Sequence, residues 1–169
     1  MSLRMIRGNA LVIDDWTEID DESALPAGGN PTKLIVPLKR WRTERESLIA
    51  AGMQIGVRLA NTEDVDTIFP EIADRPLLAL EFPKFDDGRA LTQARVLRGR
   101  LDYRGDLRGV GDILQDLIFI MRRCGFNEIV PRADQNSEGC LQALADFSTA
   151  YQPAADDVQS AFVRRRSSR

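Results

Sequence analysis

The chain has 169 residues, 43% hydrophobic and 29% charged, a composition that predicts one globular domain rather than a disordered or membrane-spanning chain. Its formal net charge of −3 opposes general attraction to nucleic acid or to an anionic membrane. It contains no histidine, which excludes Ser-His-Asp and Cys-His nucleophile systems and His-ligated zinc or haem.

The two cysteines, Cys124 and Cys140, form no Cys-x-x-Cys motif, so a zinc knuckle, a thioredoxin-type pair and a four-thiolate iron–sulfur site are not expected. We therefore predict no metal site. The sequence has no signature for flavin or nicotinamide either, and the cofactor stays unknown. No run of eighteen apolar residues occurs, and Asp14 and Asp15 interrupt the apolar N-terminal segment. We expect a cytoplasmic protein that does not contact a membrane.

Residues 1–32 predict an N-terminal extension that carries one strand or hairpin. The segment 10–16 is short and apolar enough to be extended, and 17–23 is acidic and polar. The stretch 26–31 is rich in proline and glycine, which favour a loop.

From residue 33 to residue 152, short apolar runs alternate with amphipathic stretches, as in a single α/β domain. The predicted strands are 34–36, 55–59, 77–82, 107–110 and 128–131. The predicted helices are 39–51, one N-capped by Thr62, 90–101, 113–124 between an Asp112 N-cap and Gly125, and one that opens at Ser137.

About five strand-then-helix units in succession predict a mostly parallel open sheet with helices on both faces. A partial βα barrel is the alternative, since five units are too few to close an eight-stranded barrel. Residues 153–169 predict a C-terminal tail, partly disordered and ending in the arginine-rich stretch 164–169.

In open parallel sheets, ligands bind beyond the carboxyl ends of the strands. Lys84, Asp87 and Arg89 follow the third predicted strand, Gly111 ends the fourth, and Arg132 follows the fifth. We expect the loops that carry Lys84, Arg89, Gly111 and Arg132 to meet at one edge and form a positively charged hollow for a small anion.

Arg95 and Arg108 complete the set of anion-binding candidates, since residues 84–108 hold seven basic against four acidic side chains. A second interpretation stays open for Arg95 and its helical neighbours Arg98 and Arg100. These three lie off the apolar stripe of their helix, where arginines are usually solvated or structural. No catalytic residue is identified. Cys124 lies on an apolar helix stripe, which is typical of a buried and unreactive thiol.

The central part of the chain resembles a bacterial family called a domain of unknown function, number 934, over most of residues 30–152. The resemblance rests on these segments: Phe82-Pro83-Lys84-Phe85, Asp87-Gly88-Arg89, Gln93-Ala94-Arg95, Leu97-Arg98, Gly105-Asp106-Leu107-Arg108, Val110-Gly111-Asp112, Arg123-Cys124-Gly125-Phe126, Phe147-Ser148 and Tyr151-Gln152.

Members of that family are labelled probable oxidoreductases, and their genes tend to lie beside those for assimilatory sulfite reductase. The resemblance thus implies an accessory protein of sulfite reduction that binds a small oxyanion or docks on the reductase. Two alternatives remain: a small oxidoreductase or transferase that uses Lys84, Asp87 and Arg89 on an anionic substrate, and a pure protein-interaction module. Nucleic acid is not an expected partner, because the net charge opposes it.

Overall fold

The computed structural model describes residues 4–25 and 33–144, and within them the chain forms one eight-stranded sheet and five helices. The strands are β1 (Arg4–Arg7), β2 (Ala10–Ile13), β3 (Thr17–Glu18), β4 (Lys33–Pro37), β5 (Gln54–Leu59), β6 (Leu77–Phe82), β7 (Asp106–Gly111) and β8 (Glu128–Ile129). The helices are α1 (Leu38–Ala50), α2 (Val65–Ile72), α3 (Arg89–Gly99), α4 (Leu117–Cys124) and α5 (Ser137–Gln142).

The strand order is β2-β1-β8-β7-β6-β5-β4-β3. Strands β3 to β8 run parallel to one another in sequential order, and the β1–β2 hairpin adds to β8 in the antiparallel sense. Successive right-handed crossovers that always step in one direction place their helices on one face of a sheet. The α/β fold with a mostly parallel sheet is thus confirmed, and the sheet has the partial-barrel form rather than helices on both faces.

Alternation along the strands separates the two faces of the sheet. Residues such as Val57, Leu80 and Leu107 point to the helix side, where they join one large core with side chains from α1 to α5. The intervening residues form a smaller cluster on the opposite face: Ile35, Leu77, Ala79 and Val110, with Trp16 and Val130 packed against them. We call this second side the inner face.

The segment 14–16 shows how strongly the sheet is curled. It joins β2 at one edge of the sheet to β3 at the other edge. The chain from Ile13 to Thr17 can reach at most about 14 Å, whereas the edge strands of a flat eight-stranded sheet would lie about 33 Å apart. The sheet therefore curls into a half-barrel, and Asp14 and Trp16 lie across its inner face.

The predicted strands and helices of residues 33–144 are confirmed to within a few residues at their ends, with two corrections at helix starts. Asp64, not Thr62, caps α2, because its carboxylate accepts the Asp66 backbone N–H. Helix α4 begins at Leu117, four residues later than expected, and Asp112 does not cap it. Gly125 ends α4 in the left-handed conformation, as predicted.

The predicted N-terminal extension contributes β1, β2 and β3 to the same sheet as the rest of the chain. The turn-rich stretch 26–31 and the predicted tail 153–169 lie outside the described residues. Among the described residues, no helix has the length and apolar content needed to cross a membrane.

Candidate functional site

Four neighbouring parallel strands, β5 to β8, end at one edge of the sheet, which we call the carboxyl edge. A line of hydrogen bonds runs along it. Asn61 Nδ2, just after β5, donates to Asp87 Oδ2 at 2.7 Å in the loop after β6. In the same loop the Phe85 N–H donates to Asp112 Oδ2 at 3.1 Å, after β7. Arg132, after β8, then donates from Nη1 to Asp112 Oδ1 at 2.6 Å.

Gly111 allows β6 and β7 to meet closely at this edge. Its φ is 103°, and an added Cβ would lie 2.4 Å from the carbonyl oxygen of Phe82. The next residue, Asp112, donates its backbone N–H to that same oxygen at 2.7 Å. Glycine is therefore required to turn the chain so that the Asp112 carboxylate reaches both Phe85 and Arg132.

The structure brings Lys84, Asp87, Arg89, Gly111 and Arg132 to the carboxyl edge, as the strand spacing predicts. Most of the charge there is paired. Arg89 donates from Nε and Nη2 to Asp87 at 2.6–3.2 Å, and Arg132 donates from Nε and Nη2 to Asp134 at 2.7 and 2.8 Å. Lys84 is exposed and makes no ion pair with any described residue.

These pairs explain the pKa shifts at the edge. Hydrogen bonds from Arg89 hold the pKa of Asp87 well below its usual range, and the same contacts raise the pKa of Arg89. Hydrogen bonds to Asp134 and Asp112 raise the pKa of Arg132. The carboxylates of Asp87 and Asp134, whose pKa values are both lowered by their arginine partners, stay ionised at neutral pH. The edge is thus a set of paired charges instead of a uniformly positive hollow, and within residues 4–25 and 33–144 Lys84 has no ion-pair partner.

Arg95 and Arg108 do not belong to the carboxyl edge. Arg95 is exposed in the middle of α3. Arg108 lies on β7 with its side chain 2% exposed, on the inner face of the sheet. It donates two hydrogen bonds to Asp14, at 2.8 and 2.9 Å, and one to Glu128 at 2.8 Å. Arg108 is therefore a buried structural cation.

The other two arginines of the α3 region differ from each other. Arg100 pairs with Asp66 on α2. Arg98 is half-buried and donates to the carbonyl oxygens of Gly125, Tyr103 and Gly105 at 2.7–3.0 Å and to Asn127 Oδ1 at 3.2 Å. Burial lowers the pKa of Arg98. These contacts support structural roles for both side chains.

A cleft of about 310 Å³ opens beside the carboxyl edge, between α2 and α3. Its lining includes Asn61, Glu63, Arg89 and Gln93. Gln93 is 5% exposed and donates from Nε2 to the carbonyl oxygens of Ala60 and Glu63, each at 2.9 Å. Sequence reasoning missed this cleft. One signal was present, because Gln93 is a polar residue three positions after Ala90 and four before Leu97, on the apolar stripe of α3.

Comparison with known proteins identifies the family. The sequence model of the family described as "bacterial protein of unknown function (DUF934)" matches residues 56–162. The chain belongs to this family. No curated protein matches it.

The part of the chain matched by the DUF934 model begins in β5 and so contains Asn61, Asp87, Asp112 and Arg132, which form the line of hydrogen bonds. The cleft between α2 and α3 also lies within it. Asp14, the partner of Arg108 on the inner face, lies outside the matched residues.

Phe85 is an exposed aromatic side chain at the carboxyl edge. It is 52% exposed, whereas Phe82 and Phe126 are buried in the core. Two hydrogen bonds fix the backbone around it, the Phe85 N–H to Asp112 and the Asp87 N–H to the Lys84 carbonyl oxygen at 3.1 Å. The ring is therefore presented to solvent by an ordered turn, next to Lys84.

The remaining chemical candidates of this DUF934 chain are buried. Cys124 and Cys140 are both buried, and burial raises the pKa of Cys140. Tyr103 donates its hydroxyl to the Arg75 carbonyl oxygen at 2.9 Å, and burial raises its pKa. Within residues 4–25 and 33–144, no group of three or more His, Cys, Asp and Glu side chains is arranged to hold a metal ion.

Proposed function

We propose that this protein is an accessory protein of assimilatory sulfite reduction that docks on the reductase through its carboxyl edge. The resemblance to this family supports the process, because the genes of family members tend to lie beside those for assimilatory sulfite reductase. One structural observation carries the docking surface: Phe85 stands exposed on an ordered turn beside Lys84.

The turn that carries Phe85 is preorganised for docking. An aromatic ring that is already held in place loses little conformational freedom on binding, and such residues dominate the energy of protein interfaces. Lys84 adds a cation that has no ion pair to break with any residue that the structure describes. Arg89 and Arg132 are paired with carboxylates, so they would keep their partners and form a polar rim around the ring.

Direct binding of the purified protein to sulfite reductase from the same bacterium tests this proposal. We expect Phe85→Ser to weaken binding by about tenfold or more, and Lys84→Glu to weaken it and reduce its salt dependence. Ile49→Ser is the matched control. Ile49 is 49% exposed near the end of α1, on the side of the sheet where the parallel strands begin, away from the carboxyl edge. Absence of wild-type binding, or equal losses in Phe85→Ser and Ile49→Ser, would refute the docking surface.

A deletion strain tests the process separately from the surface. We expect slower growth on sulfate or sulfite as the sole sulfur source and normal growth on sulfide or cysteine. A complementing Phe85→Ser gene should restore growth only in part. Normal growth of the deletion strain on all four sources would remove sulfite reduction from the proposal.

Binding of a small oxyanion at the carboxyl edge is a second candidate function. It is favoured by Lys84, which has no ion-pair partner among the described residues, and by Arg89 Nη1, which donates to none of them. Isothermal titration with sulfite, sulfate and phosphate tests it on the wild type and on Lys84→Ala. The absence of binding to the wild type would eliminate this candidate.

A further inference from the structure

The loop after β6 contains a β-turn formed by residues 84–87, which we call the docking turn. The Asp87 N–H donates to the Lys84 carbonyl oxygen at 3.1 Å and closes the turn. Phe85 and Asp86 are therefore its two central residues. The Phe85 ring is 52% exposed, and Asp86 is exposed as well, so the docking turn is an accessible part of the carboxyl edge.

Side chains from two other loops hold the docking turn in place. Asp112, after β7, accepts the Phe85 N–H through Oδ2 at 3.1 Å. Asn61, after β5, is 7% exposed and donates from Nδ2 to Asp87 Oδ2 at 2.7 Å. These contacts fix the backbone of Phe85 and the side chain of Asp87. A partner therefore meets a turn whose conformation is already set, which lowers the entropy lost on binding.

The two residues that flank Phe85 in the chain carry opposite charges. Lys84 and Asp86 are both exposed, and neither side chain makes an ion pair or a hydrogen bond with a residue that the structure describes. Asp87 and Arg89 differ from them, because these two pair with each other. The docking turn thus presents an aromatic ring with a cation before it and an anion after it.

These two charges restrict the kind of surface that can cover the docking turn. Removing Lys84 and Asp86 from water costs free energy unless groups of opposite charge replace the water. A partner therefore needs a carboxylate on the Lys84 side and a cation on the Asp86 side. Because the two charges differ in sign, a partner that docked in the reversed orientation would bring like charges together. The pair thus selects one orientation of the partner around the Phe85 ring.

We propose that the docking turn fits an apolar pocket on sulfite reductase that has a carboxylate on one side and a lysine or arginine on the other. The Phe85 ring fills the pocket, the carboxylate accepts from Lys84 Nζ, and the lysine or arginine donates to the Asp86 carboxylate. This inference rests on the proposed function, because it names the chemistry of the surface on which the carboxyl edge docks. It goes further because it requires Asp86 as well as Lys84 and fixes the orientation of the complex.

An exchange of the two charges tests the proposal in direct binding of the full chain to sulfite reductase. The double variant Lys84→Asp/Asp86→Lys keeps Phe85 and the formal net charge of −3. We expect it to bind at least about tenfold more weakly than the wild type, because each charge then meets a like charge. Lys84→Asp and Asp86→Lys should each weaken binding as well. If only the overall charge mattered, the two single variants would change the affinity in opposite directions and the double variant would bind like the wild type.

Arg95→Glu and Glu46→Lys are the matched controls. They reverse charges at exposed positions in α3 and α1, and they should leave binding unchanged. Every variant should keep the wild-type melting temperature, because none of the four charged side chains makes an ion pair with a described residue. Absence of wild-type binding would refute the proposed function and this inference together. If Phe85→Ser weakens binding but the double variant binds like the wild type, the docking surface stands and the charged pocket is overturned.

Discussion

Arg108 and Asp14 are joined by two hydrogen bonds, at 2.8 and 2.9 Å, across the inner face of the half-barrel, although they are 94 residues apart in the chain. Their side chains are 2% and 8% exposed, and Arg108 also binds the fully buried Glu128. The pair ties the segment between β2 and β3 to the centre of the sheet. Breaking it leaves carboxylates in a site from which water is excluded.

We therefore expect Arg108→Met to reduce the free energy of unfolding by about 3–5 kcal/mol, measured by urea denaturation at pH 7. Methionine keeps the apolar part of the arginine side chain, so the loss of stability measures the effect of removing the charge. Adding Asp14→Leu should restore part of the stability, because the unpaired carboxylate is then removed too. Equal stability of Arg108→Met and the wild type would show that the inner-face ion network contributes nothing. Arg104→Ala, at an exposed ion pair, should not change stability measurably.

The turn at the end of β7 leads to a second prediction. Gly111→Ala should destabilise the protein by about 1–3 kcal/mol or more, because alanine is strained at a φ of 103° and its Cβ would collide with the Phe82 carbonyl oxygen. Thermal unfolding measures the loss. Gly99→Ala is the control: Gly99 ends α3, has no atom within 4 Å of an added Cβ, and should gain about 0.4–1 kcal/mol. If Gly111→Ala and Gly99→Ala had similar melting temperatures, glycine would not be required at position 111.

Most elements of residues 33–144 could be predicted from the sequence, because their signals are local. The apolar run 77–82 coincides with β6, and Gly125 marks the end of α4. The curvature of the sheet could not be predicted in this way. It depends on which strands become neighbours, and no local pattern encodes that the short segment 14–16 joins the two edges.

The sequence indicates which loops meet at the carboxyl edge, but it does not indicate how the charged side chains of those loops pair. Parallel strands bring Lys84, Arg89 and Arg132 to one edge by geometry alone. Their pairing depends on side chains from other loops, as when Asp112 serves both Phe85 and Arg132 instead of capping a helix. Arg108 was misassigned to the anion site for the same reason, since arginine is usually exposed and its buried partner Asp14 is distant in sequence.

The ion pair between Arg132 and Asp134 predicts a pH dependence. Hydrogen bonds from Arg132 lower the pKa of Asp134 from 3.8 to about 2. Because the folded pKa is depressed, the stabilisation is fully present above about pH 4 and is lost as the pH falls towards 2. We expect Asp134→Asn to flatten the decline in stability over this range, measured by urea denaturation at several pH values.

The control for that experiment is Arg132→Gln, which removes the partner of Asp134. In that background Asp134→Asn should have little further effect on the decline in stability at acid pH, because the ion pair is already broken. The contribution of Asp134 should also shrink at 1 M salt, because the pair is exposed and screened. If stability declined equally between pH 4 and pH 2 in Asp134→Asn and the wild type at low salt, the ion pair between Arg132 and Asp134 would not contribute to stability.

Arg98 connects the end of α4 to the loop before β7. Its guanidinium donates to the carbonyl oxygens of Gly125, Tyr103 and Gly105 and to Asn127. Arg98→Met leaves these acceptors without their donor, so we expect a loss on the order of 2–4 kcal/mol in the free energy of unfolding. Arg98→Lys should recover little of it, because a single ammonium cannot reproduce the planar fork. Arg95→Met, on the exposed side of the same helix, should be close to neutral. Equal stabilities of Arg98→Met and Arg95→Met in urea denaturation would show that Arg98 is only a solvated side chain.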